Sequence, residues 1–165
     1  MTSQYDPILR SVAEETLSSL AFLFPIEEEE SCGTSDEPMI AVGVTFSGPR
    51  RGALMMSVSA SMLAPLATNM LGIEPPGEPT CDQQQDALKE MLNVVCGNLL
   101  PLIGTDRDVF NVHSPRILSE GAAVELSGHA LKGEAGLALD AGRATLKLFF
   151  EEPVHAASQG IAGKI

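Results

Sequence analysis

Apolar positions recur along this chain with two different periods, and the change of period divides it. Ile8, Leu9, Val12, Leu17, Leu20 and Leu23 follow helical spacing. Pro7 suits the first turn of that helix with Asp6 as its N-cap, and Pro25 ends it. Residues 39–46 and 53–59 are β-forming runs joined by the turn Gly48-Pro49-Arg50-Arg51-Gly52, which predicts a hairpin. A short helix is expected over about 62–71, capped by Ser59 or Ser61 and closed by Gly72. Pro75, Pro76, Gly77 and Pro79 make 72–80 a stiff connector. A long helix follows over about 82–102, with Pro101 near its end and Gly104 as its terminator. Beyond it the period shortens to β-like runs at 109–113, 122–131, 135–139 and 144–151, the last two joined by the turn Asp140-Ala141-Gly142-Arg143. Pro153 ends the final strand. The expected class is α+β: an antiparallel sheet with packed helices in the order α-β-β-α-α-β-β-β. One domain over 1–153 and a poorly structured tail over 154–165 are expected.

On a helical wheel the 82–102 segment separates cleanly. Leu88, Met91, Leu92, Val95, Leu99 and Leu102 fall on one face, which must meet the core. Asp86, Glu90, Asn93 and Gly97 fall on a narrow stripe opposite, at spacings that stack their side chains along one line. A carboxylate and a carboxamide three residues apart can reach one small target together. The carboxylate accepts from an ammonium or guanidinium group, and the carboxamide both donates to and accepts from a water. Gly97 costs helix stability, about 1 kcal/mol relative to Ala, and in return lets another backbone approach. The stripe equally fits the solvated polar face that any amphipathic helix carries.

Charge narrows the partner classes. Ten Lys and Arg stand against 22 Asp and Glu, a net charge of −12, so no general attraction to nucleic acid or to an anionic membrane surface is expected. No apolar run is long enough to span a bilayer, and the N-terminal residues lack signal-peptide character. Cys32, Cys81 and Cys96 form no disulfide framework and no zinc spacing. A cytoplasmic location follows as the expectation. Glu27 to Glu30 form an acidic loop, readable as a docking surface for a basic partner or as solvated chain. Asp106 with Asp108 reads as an acid–base pair or a solvated turn. His113 and His129 read as candidate ligands on adjacent strands or as structural histidines. No GxSxG, Walker A or GxGxxG sequence is present.

The segment Asp86-Ala87-Leu88-Lys89-Glu90-Met91-Leu92-Asn93-Val94-Val95-Cys96-Gly97-Asn98 resembles the signature helix of the CheX/CheC/FliY family of chemotaxis phosphatases. That signature is Asp or Ser, three residues, Glu, two residues, Asn, and Asp86, Glu90 and Asn93 satisfy it. The hairpin, short helix and Pro-rich connector before it resemble the family too, so the likeness runs from about Tyr5 to Glu151. A single copy of the motif points to the CheX-like branch, which implies a homodimer. The resemblance implies hydrolysis of the phosphoaspartate of a CheY-like response regulator in chemotaxis or two-component signalling. Asn93 would orient the attacking water, Glu90 would engage a partner lysine, and Asp86 and Gly97 would bind the partner. It implies no cofactor of the chain's own, Mg²⁺ being supplied by the response regulator. Two other readings remain at this point: a non-catalytic CheX-fold module that binds a receiver domain or another signalling partner, and a structural dimer whose stripe is solvated surface.

Overall fold

The computed structural model describes residues 2–27, 37–105, 107–119 and 129–151. Three helices, α1 (Asp6–Ala21), α2 (Ala60–Leu71) and α3 (Cys81–Ile103), accompany six strands, β1 (Met39–Ser47), β2 (Gly52–Ser59), β3 (Asn111–Val112), β4 (Arg116–Leu118), β5 (His129–Leu139) and β6 (Gly142–Glu151). The sheet is antiparallel, with order β3-β1-β2-β6-β5 and β4 also paired to β1. This is the α+β architecture and element order expected. The acidic loop from residue 28 onward and the tail beyond residue 151 lie outside the described residues.

Alternation along the strands decides which face receives the helices. Val42, Val44 and Phe46 of β1, Leu54, Met56 and Val58 of β2, and Leu146, Leu148 and Phe150 of β6 are buried in one core with the apolar faces of the three helices. Alternation at Leu146, Leu148 and Phe150 fits an extendable sheet edge as well as an interior strand. β6 lies inside the sheet between β2 and β5, and the alternation records a core face. The outer side of β5 is covered as well. Ile26 N donates to Ala138 O at 2.9 Å, Glu134 N to Asp6 Oδ1 at 2.8 Å, and the Ser3 hydroxyl to Lys132 O. Such cover blocks strand addition along that edge.

Several boundaries shift for identifiable reasons. α1 ends at Ala21 because Phe22 turns into the left-handed region at φ 54° and the chain folds back, Leu23 N bonding Leu17 O at 3.1 Å. Asp6 is the first helical residue, with Tyr5 at the N-cap. The Asp6 carboxylate instead accepts from Ser3 N and Glu134 N, fastening α1 to β5. The expected break after residue 131 is a bulge within one continuous strand, β5. Gly133 is required there, since a Cβ would lie 2.8 Å from Tyr5 Cβ and 3.0 Å from Leu9 Cδ1. The expected strand over 122–131 is observed only from His129, residues 120–128 lying outside the description.

Candidate functional site

α3 is held by a complete capping box. Thr80 Oγ1 accepts from Gln83 N at 3.1 Å, and Gln83 Oε1 accepts from Thr80 N at 2.9 Å. The helix then presses Leu88, Met91, Leu92, Val95, Cys96 and Leu99 into the core, each fully buried. Leu102, expected among them, is 59% exposed. The buried positions advance in steps of four, as in Leu88–Leu92–Cys96–Leu100, and each such step drifts about 40° around a helix of 3.6 residues per turn. By the last turn the inward side has moved onto Leu100 and Ile103 and left Leu102 outside.

The opposite stripe is solvent-facing along its length: Asp86, Glu90, Asn93 and Gly97 are all exposed. Glu90 and Asn93 make no hydrogen bond or ion pair with any described residue, so no described part of the fold uses their polar groups. Three positions apart on a helix, their Cβ atoms stand about 5–6 Å from each other. Asp86 faces Lys89 at 3.9 Å, an exposed i,i+3 pair worth no more than a few tenths of a kcal/mol. Gly97 has open space where a Cβ would point, with no atom within 4 Å. No contact among the described residues requires glycine here. What the residue provides is a bare stretch of backbone on the outer face.

Next to Gly97 the surface dips into a groove of about 410 Å³, walled by Leu100, Pro101, Phe110 and Val112, with Thr105 and Asp108 at its rim. Sequence reasoning missed this groove, because it joins the end of α3 to the segment entering β3, and no local pattern announces such a meeting. Asp108 serves the local backbone, its carboxylate accepting from Thr105 N at 2.7 Å to close a turn. Asp106 lies outside the described residues. His113 and His129 are not on adjacent strands. One follows β3, the other opens β5, and β1, β2 and β6 run between them. Both belong to the side of the sheet opposite the three described helices, away from the stripe.

Cys96 is buried beneath α3, and burial pushes its thiol up to about 12; Cys81 is exposed. Among the described residues, no three His, Cys, Asp or Glu side chains gather into a group able to hold a metal, and no helix is long and apolar enough to cross a membrane.

The sequence profile of the chemotaxis phosphatase CheX family matches residues 40–131, more than half of the chain and the whole of the stripe. No curated protein matches. Solved structures share the fold. A chemotaxis protein CheX from Desulfovibrio desulfuricans is 15% identical with a TM-score of 0.61, over 87% of this chain and 96% of that one. A CheX from Vibrio vulnificus is 18% identical with a TM-score of 0.61, over 90% and 97%. The CheX–CheY–BeF3–Mg²⁺ complex from Borrelia burgdorferi aligns at 16% identity and a TM-score of 0.63, over 87% and 96%.

Proposed function

The chain belongs to the chemotaxis phosphatase CheX family, and from that premise we propose that it hydrolyses the phosphoaspartate of a CheY-like response regulator. One observation carries the reading: Glu90 and Asn93 stand exposed, three residues apart, with their hydrogen-bonding capacity unused by any described residue. A carboxylate and a carboxamide so placed are dispensable to folding and suited to a partner. The existence of a CheX–CheY complex from Borrelia burgdorferi supports a CheY-like partner.

The reaction breaks the P–O bond between phosphorus and the aspartyl oxygen. A water oxygen attacks phosphorus in line, the aspartate leaves as carboxylate, and inorganic phosphate carries away the water-derived oxygen with one of its protons, the other passing to solvent. Phosphoryl transfer depends on positioning and electrostatics far more than on new covalent chemistry. The Asn93 carboxamide would accept one hydrogen bond from the water and donate another near its path, fixing the approach. The Glu90 carboxylate would receive a lysine ammonium of the partner, seating the helix. Asp86 adds a second carboxylate one turn earlier, and Gly97 admits the partner's backbone one turn beyond Asn93. The chain would bring no cofactor of its own; Mg²⁺ and the acyl phosphate would belong to the response regulator. A homodimer is proposed with this reading, the stripe remaining open in each protomer.

The test compares binding with hydrolysis on one phosphorylated receiver domain. Glu90→Ala should weaken both, since it strands a partner lysine. Asn93→Ala should preserve most of the affinity and lose the rate. Wild-type protein that binds the receiver and never accelerates phosphate release would replace the phosphatase with the non-catalytic module.

A further inference from the structure

The face of the sheet turned away from the helices carries a cavity of about 350 Å³, near the lower end of the ~300–1,000 Å³ found for small-molecule sites. Its origin is visible in the strand register. Thr45 pairs with Ala53, and Gly43 lies two residues along β1 on the same face, so the floor is made of small side chains. Leu118 of β4 forms an apolar wall, one methyl standing 3.0 Å from where a Gly43 Cβ would be. Arg116, directly opposite Gly43 in the register, begins on this same face.

The polar groups around the cavity are largely uncommitted. Arg116 has no ion pair or hydrogen bond with any described residue. His113 is fixed by two contacts with Thr45, Nδ1 to Oγ1 at 2.7 Å and backbone N to carbonyl at 2.9 Å, which leaves its Nε2 without a partner among the described residues. His129 reaches in from the β5 side, and its Nδ1 is buried without a hydrogen-bond partner, an arrangement that costs stability until an acceptor or donor is supplied. No Asp or Glu is among the described residues lining the cavity. In a chain with 22 acidic and 10 basic residues, the described lining is locally basic and set over an apolar floor.

We propose that this cavity binds a small organic anion, a carboxylate or phosphomonoester on a compact apolar body. The anionic head would take the Arg116 guanidinium in the paired geometry that arginine offers to such groups. His129 and His113 would supply ring N–H donors, and the body would lie on Gly43, Ala53 and Leu118. Because α3 lies on the opposite side of the sheet, the cavity and the Glu90/Asn93 stripe can be occupied together, and the inference stands independently of the phosphatase reading.

The experiment is an NMR titration of the full chain, observing histidine imidazole and arginine side-chain resonances, with benzoate, phenyl phosphate, neutral benzamide and inorganic phosphate as probes. Benzoate or phenyl phosphate should shift the His113 and His129 resonances saturably, and the tighter of the two identifies the head group. Benzamide should bind about tenfold more weakly or worse, and Arg116→Gln, an exposed substitution, should weaken the anions by a similar factor. Four results would each overturn the proposal: no shift at either histidine up to about 10 mM probe, a range reaching beyond weak millimolar affinities; equal binding of benzamide; undiminished binding by Arg116→Gln; or inorganic phosphate matching phenyl phosphate, which would deny the apolar body any part.

Discussion

Gly97 offers a perturbation in which stability and function should move in opposite directions. It occupies the interior of α3 on the exposed face, and a Cβ there would meet nothing within 4 Å. Gly97→Ala removes the entropic penalty of a helical glycine without creating a clash, so it should stabilise the fold by about 1 kcal/mol. For a domain of this size that corresponds to a rise in Tm of about 3 °C. Gly97→Leu should also be at least neutral to folding, since the new side chain projects into solvent. Its cost should appear against the partner. If a partner backbone packs at this position, accommodating four extra carbons should cost about 1–3 kcal/mol, roughly 5- to 150-fold in kcat/KM. Thermal and urea unfolding of the three proteins gives the first quantity, and phosphate release from a phosphorylated receiver domain the second. Loss of stability in Gly97→Ala would mean that glycine serves the monomer's own packing. Wild-type hydrolysis by Gly97→Leu would remove Gly97 from the partner surface.

Three further outcomes probe the scaffold. Leu92→Ala, at a fully buried position on the inner face of α3, should destabilise by about 2–5 kcal/mol in urea unfolding, whereas Asn93→Ala beside it should cost less than about 1 kcal/mol. Hydrogen bonds from Glu134 N and then Ser3 N hold the Asp6 carboxyl below its ordinary value. Its stabilising contribution is therefore present above the unfolded-state pKa near 4 and is lost as pH falls through the lower folded-state value; the urea midpoints of wild type and Asp6→Asn should differ at pH 7 and converge as the carboxyl protonates. Iodoacetamide at pH 8 should label Cys81 in the native protein and spare Cys96, which burial keeps protonated; peptide mapping that finds Cys96 labelled as fast as Cys81 would show that α3 lifts readily from the sheet.

α3 was legible because one helix carries both a wide apolar face and an unusual polar line, so periodicity alone separates Leu88, Leu92 and Val95 from Glu90 and Asn93. The hairpin of β1 and β2 and the pair β5 and β6 were legible for the same reason, since alternation and turn residues are local signals. What escaped the sequence was set by tertiary contact. Leu102 looked buried because a fixed wheel ignores the drift of the contact stripe along a helix crossing its neighbours. β4 is three residues long, too short for period-two alternation to register, and exists only by pairing with Ala41, Val42 and Gly43. Leu146, Leu148 and Phe150 alternate as an edge or an interior strand would, and only the strand order places β6 inside the sheet. The Gly97 groove and the His113–Arg116–His129 cavity both join segments remote in sequence, and His113 and His129 were noticed as residues without a reason to place them around one cavity.

In the proposed reaction the Asn93 carboxamide performs the positioning step. Single-turnover release of phosphate from a cognate phosphorylated receiver domain, with the phosphatase in saturating excess, isolates that step from binding. Wild type should accelerate release over the receiver alone, and Asn93→Ala should be slower than wild type by about 10²- to 10³-fold at saturation, the loss typical of removing one preorganised hydrogen-bonding group from a transition state. Equal saturating rates for wild type and Asn93→Ala would contradict the account.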